Sequence, residues 1–163
     1  MMRNAERGLN SIEIIAVTLV AAITMLLVVP SHNIQVERQQ IKALTTSLYG
    51  FVKSSQSLSV ATGKDLVITQ QNQPPHSLLL KVVQDGELIS RFSLTDFPYA
   101  STSFNYANNA LYLYGRSGKL TNGHIAISAI DDTESAIKIV TSYGAGRIIV
   151  CTLNHAEYGH VKC

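Results

Sequence analysis

The side chains able to do chemistry are few, and the most conspicuous is a lone acid. Glu13 is the only charged residue between Leu9 and Val29. A carboxylate inside so apolar a run costs about 2.5–3.5 kcal/mol near the centre of a bilayer, less near the interface, and so marks pairing or function. No Lys or Arg lies within the run to neutralise it. Two kinds of relief are open to it. Cutting after Gly8 would create a cation, the α-amine of Leu9, close to the acid of a neighbouring copy. Alternatively, the acid snorkels towards the helix end.

At the other end of the chain, Cys151, His155, His160 and Cys163 are four potential metal ligands, but their irregular spacing fits no structural zinc pattern. The even pair of cysteines reads instead as a disulfide closing a loop of about a dozen residues, which the chain-entropy model values at roughly 3 kcal/mol; two free thiols are the alternative. Around that loop Arg147, Lys162, His155 and His160 could form a small basic patch opposed by Glu157, with Tyr143 or Tyr158 as a stacking face. Equally, Arg147 could pair with an acid or a strand-end carbonyl.

Other motifs carry less. Asp131-Asp132-Thr133-Glu134 is an acidic loop without the ligand spacing of a calcium motif. Gly63-Lys64 and Gly118-Lys119 lack both the earlier Gly and the following Ser/Thr of a phosphate-binding loop. No nucleophile elbow surrounds any Ser. His32, His76 and His124 are scattered. The expectation is a protein with no catalytic residues, metal or cofactor. A net charge of +2 over 163 residues also excludes a general polyelectrolyte binder of nucleic acid.

The elements that must position these residues follow from hydropathy. The run from Leu9 to Val29 is about 30 Å long as a helix, enough to cross a hydrocarbon core. Arg3 and Arg7 precede it, which by the positive-inside rule sets the N-terminus in the cytoplasm. The run is too long for a conventional secretory signal, and no small-residue cleavage site follows it. After Pro30 the helix is expected to continue as an amphipathic segment, with Ile34, Ile41, Leu44, Leu48, Phe51 and Leu58 on one stripe and Gly63 as its stop. Strand-like runs follow at 66–69, 78–83, 88–94, 110–114, 125–130, 137–141 and 148–151, with one more short strand expected near Phe104. Asp85-Gly86 marks a tight hairpin.

A basic leader ending in Gly8, then Leu9-Asn10-Ser11-Ile12-Glu13 opening an apolar helix, resembles the class III signal of type IV pilins and type II secretion pseudopilins. In the head, Leu111-Tyr112-Leu113-Tyr114-Gly115-Arg116-Ser117-Gly118 followed by Gly123-His124-Ile125-Ala126-Ile127 is similar to a hairpin of the GspH/FimT family of minor pilins and pseudopilins. Gly146-Arg147 before a terminal strand matches that family's Gly-Arg dipeptide. Some FimT-type members bind DNA through Gly-Arg-x-Arg; here Ile149 stands in place of the second Arg.

The resemblance implies a pilin fold of the α+β class: a long N-terminal helix, transmembrane then amphipathic, packed on an antiparallel two-sheet β-head. Residues 1–8 would be a leader removed by the prepilin peptidase, 9–29 the transmembrane and assembly half of the helix, 30–62 its amphipathic half, and 63–163 the head with a C-terminal cystine loop of Cys151 and Cys163. Gly8 would be the cleavage residue, Leu9 the N-methylated terminus and Glu13 the assembly acid. Arg147 and Lys162 are the candidate DNA contacts. The implied function is that of a minor pilin in type IV pilus assembly or initiation, with a part in DNA uptake at the tip. The alternatives are an H-type pseudopilin of type II secretion and a DNA-receptor pilin. Expected partners are other pilins, the prepilin peptidase, the inner membrane and DNA. The expected location is the bacterial inner membrane, crossed once with the head periplasmic, and then the fibre.

Overall fold

The computed structural model describes residues 11–73, 77–130, 137–153 and 159–163, with the side chains of 26–34, 72–73 and 77–78 left aside. Gly8, Leu9, His76, the acidic stretch 131–134, His155, Glu157 and Tyr158 lie outside the described residues, and His32 and Ile34 are among the side chains left aside. The chain divides into two compact units, Met1–Val36 and Glu37–Cys163.

Helix α1 is Ser11–Thr62, and its described side chains fall in two runs, 11–25 and 35–62. In the first unit every side chain from Ser11 to Met25 is exposed. The hydroxyls of Thr18 and Thr24 donate back to the carbonyls of Ile15 and Ala21, each at 2.9 Å, so the helix satisfies its own polar side chains. Glu13 is exposed within this run.

Two expectations need correction here. Among the described residues no helix is long and apolar enough to cross a membrane. The run 35–62 carries Glu37, Arg38, Lys42 and Lys53. The single-pass inner-membrane location is therefore not supported. Nor does the fold hold as a long transmembrane-then-amphipathic helix packed on a β-head, because only residues from Glu37 onward belong to the sheet-bearing unit. That unit is mostly antiparallel sheet.

Within it, Ile41, Leu44, Leu48 and Val52 recur at helical spacing and are fully buried. Phe51 is partly buried and Leu58 turns outward. The helix stops at Gly63, whose φ of 66° is costly for other residues and whose N–H returns to the Val60 carbonyl at 3.2 Å.

Nine strands follow among the described residues: β1 Leu66–Gln73, β2 Ser77–Gln84, β3 Glu87–Ser93, β4 Ala100–Asn105, β5 Ala110–Tyr114, β6 Lys119–Leu120, β7 Gly123–Ala129, β8 Ile137–Ser142 and β9 Arg147–Thr152. One sheet has the order β3-β2-β1-β5-β6 and the other β4-β7-β8-β9. All their pairings are antiparallel. Alternation places Leu66, Ile68, Leu80, Val82, Leu111 and Leu113 of the first sheet in one core with Phe104, Ile125, Ile127, Ile137 and Ile139 of the second. Asp85-Gly86 is the expected tight turn, with φ of 52° and 87°.

The sheet edges are irregular. Outermost β3 slips register against β2 between Val82 and Val83. At β9, the C-terminal segment returns and pairs in parallel with the end of the strand, Thr152 to Lys162.

Candidate functional site

Among the described residues, polar and charged side chains gather at the end of the sheet unit where α1 stops and several turns meet. Backbone contact makes this possible. A Cβ on Gly115 would lie 2.5 Å from Lys64 N, so only glycine lets the β5–β6 turn rest against the chain leaving α1. Gly146, at φ 59°, sits so near Gly118 that a Cβ would be 2.7 Å from the Gly118 carbonyl oxygen. Buried Gln56 ties the three elements together, its Nε2 donating to Gly118 O at 2.8 Å and to Gly146 O at 2.9 Å. Asp65 Oδ1 accepts from the Gly115 N–H at 2.9 Å.

Between these backbones lies an open cleft of about 550 Å³, lined by Gly63, Lys64, Asp65, Asp85, Tyr114, Arg116 and Ser117. Lys64 Nζ and Asp85 Oδ2 form an exposed ion pair at 3.0 Å. That hydrogen bond, and then the lysine's charge, hold the Asp85 carboxyl below its usual range. In high dielectric such a pair adds little stability. Tyr114 meets Tyr143 edge-on, with centroids 5.8 Å apart, and Lys119 Nζ sits 4.8 Å from the Tyr143 centroid. Arg116 and Arg147 are exposed, and neither has an ion-pair partner among the described residues.

The residues expected to act together are thus redistributed. Arg147 begins β9 and Lys162 pairs beside its last residue, so about 17 Å of extended strand separates their backbones. Arg147 instead follows Gly146, the glycine that touches Gly118. Tyr143, expected as a stacking face, is engaged by Lys119 and Tyr114. Cys151 and Cys163 are bonded to each other, and the N–H of Cys163 also donates to Thr152 O at 2.9 Å. Glu13 is exposed in the separate N-terminal unit. Among the described residues no cluster of three or more His, Cys, Asp or Glu is placed to hold a metal ion.

Gln56 is not singled out by the sequence, and Lys119 enters it only beside Gly118 as a rejected phosphate-loop pair. The only trace of their site was the glycine punctuation at Gly115, Gly118 and Gly146, which marks turns without saying which turns touch. In comparisons with protein-family models, with curated proteins and with solved structures, the chain matches none.

Proposed function

We propose that this protein is a minor subunit of a type IV pilus, acting in assembly or initiation of the fibre and not in catalysis. The observation that carries the reading is the run from Ile12 to Met25. Eight large apolar side chains there (Ile12, Ile14, Ile15, Val17, Leu19, Val20, Ile23 and Met25) are each at least 50 % exposed, with Glu13 the one charge among them. So much contiguous apolar surface is unusual on a lone soluble chain and marks an interaction site. Matching helices of other subunits would cover it, and a neighbour's free α-amine at Leu9 would neutralise Glu13. The sheet-bearing unit, closed by its own core and disulfide, would then serve as the part that contacts other proteins.

The test is mass spectrometry of the protein from its native host, together with its recovery in sheared filaments. Loss of the first eight residues and a methylated Leu9 are expected, and Glu13→Ala should abolish incorporation. A retained leader, or Glu13→Ala entering filaments as well as the parent, overturns the reading.

A further inference from the structure

The turn-rich end of the sheet unit holds more positive charge than it uses. Among the described residues Lys64 and Arg116 line the cleft with Asp65 and Asp85, Lys119 lies over Tyr143, and Arg147 follows Gly146, which touches Gly118. Both acids are already engaged, Asp65 by the Gly115 N–H and Asp85 by Lys64. We propose that this end is a docking site for an acidic segment of a partner protein, with one carboxylate received by Arg116 at the cleft and its neighbours met by Lys119 and Arg147. The inference does not rest on the pilus reading.

Three features favour carboxylates. Arg116 carries a planar fork of donors suited to a carboxylate, and the cleft of about 550 Å³ has room for an acidic side chain at that fork. The turn that presents it is fixed beforehand: Gly118 N–H donates to Tyr114 O at 2.8 Å, Gly115 is clamped on the Lys64 backbone, and Gln56 holds Gly118 O from below. Little ordering is therefore needed on binding. Third, nucleic acid fits less well, because single strands need, besides basic side chains, open aromatic faces on which bases stack. Here the Tyr143 ring already lies under Lys119 and in edge contact with Tyr114.

The experiment is fluorescence anisotropy of a labelled hexaglutamate peptide titrated with the full chain, at low and at physiological ionic strength, beside a labelled thymidine hexanucleotide. Hexaglutamate should bind at low ionic strength and weaken with salt. Arg116→Ala should weaken it about three- to fivefold and Arg116→Ala with Lys119→Met about tenfold or more. Arg116→Lys, which keeps the charge and loses the fork, should fall in between. Arg91→Ala, on β3 and outside the cleft, should leave binding unchanged. These side chains are on the surface, and unchanged circular dichroism would confirm that the variants fold. No binding of hexaglutamate at low ionic strength, an equal loss with Arg91→Ala, or tighter binding of the oligonucleotide would each overturn the proposal.

Discussion

Replacing Gln56 with Ala tests whether the turn end is held from the helix. The amide is 8 % exposed and donates to two carbonyls belonging to different hairpins, Gly118 at 2.8 Å and Gly146 at 2.9 Å. Each such bond contributes about 0.5–1.5 kcal/mol net, and a buried carbonyl left without a donor costs about 1–3 kcal/mol. Both carbonyls sit near the surface, where water can replace part of the loss, so about 2–3 kcal/mol is expected. In urea that lowers the unfolding midpoint by roughly 1–2 M with the slope unchanged.

Gln56→Glu sharpens the test. Gln56 Oε1 accepts from Lys53 Nζ at 2.9 Å, so a carboxylate there would keep that cation while losing both bonds donated to Gly118 O and Gly146 O. Its deficit should therefore come within about 1 kcal/mol of that of Gln56→Ala. A loss under about 0.5 kcal/mol for Gln56→Ala, or a Gln56→Glu variant as stable as the parent, would refute the reasoning.

Other perturbations follow from the same geometry. Burial pushes the Tyr106 phenol up to about 12, and an unfolded tyrosine ionises near 10. Stability present below pH 10 should therefore drain away between these values, on the order of 2–3 kcal/mol, and alkaline unfolding of Tyr106→Phe should lack that step. His124 is held below its usual 6.5 by burial and then by the nearby charge of Lys138. Its contribution should fall as pH drops through the ordinary value. NMR titration should give a low midpoint that Lys138→Met moves partway back, and an unshifted midpoint would contradict this. Gly115→Ala drives a methyl into the Gly63–Lys64 backbone and should cost at least about 2–3 kcal/mol, whereas Gly144→Ala, with nothing within 4 Å, should melt near the parent temperature.

Much of the sheet was legible because its strands are β-branched or aromatic and punctuated by Gly, Asn or Asp. Each of the seven runs read as strands falls largely on one, and Asp85-Gly86 makes its turn. Strands made by their partners were harder to see. The second half of β1 is Gln70-Gln71-Asn72-Gln73, poor strand formers held by pairing to β2 as far as Gln73 and Ser77. Ala100–Asn105, rich in Ser and Thr, is a strand because β7 lies beside it residue for residue. Two-residue β6 gave no signal.

Hydropathy overreached in the opposite direction. An apolar run of membrane-spanning length is not matched by a membrane-spanning helix among the described residues. For the site, closeness in sequence misled: Arg147 and Lys162 flank one loop but lie at opposite ends of β9. Gly118 and Gly146, 28 positions apart, are in contact, and no local pattern encodes that.

The register slip on β3 has a consequence beyond the strand itself. An outermost strand with unspent amides and carbonyls invites templated growth by any passing extended chain. The extra residue of β3, Ile89, set against the Val82–Val83 step of β2, breaks the regular row that such growth needs, while at one edge of the other sheet the returning C-terminal residues occupy the end of β9. At these two edges crowded copies of this unit are thereby guarded against zippering into amyloid-like ribbons.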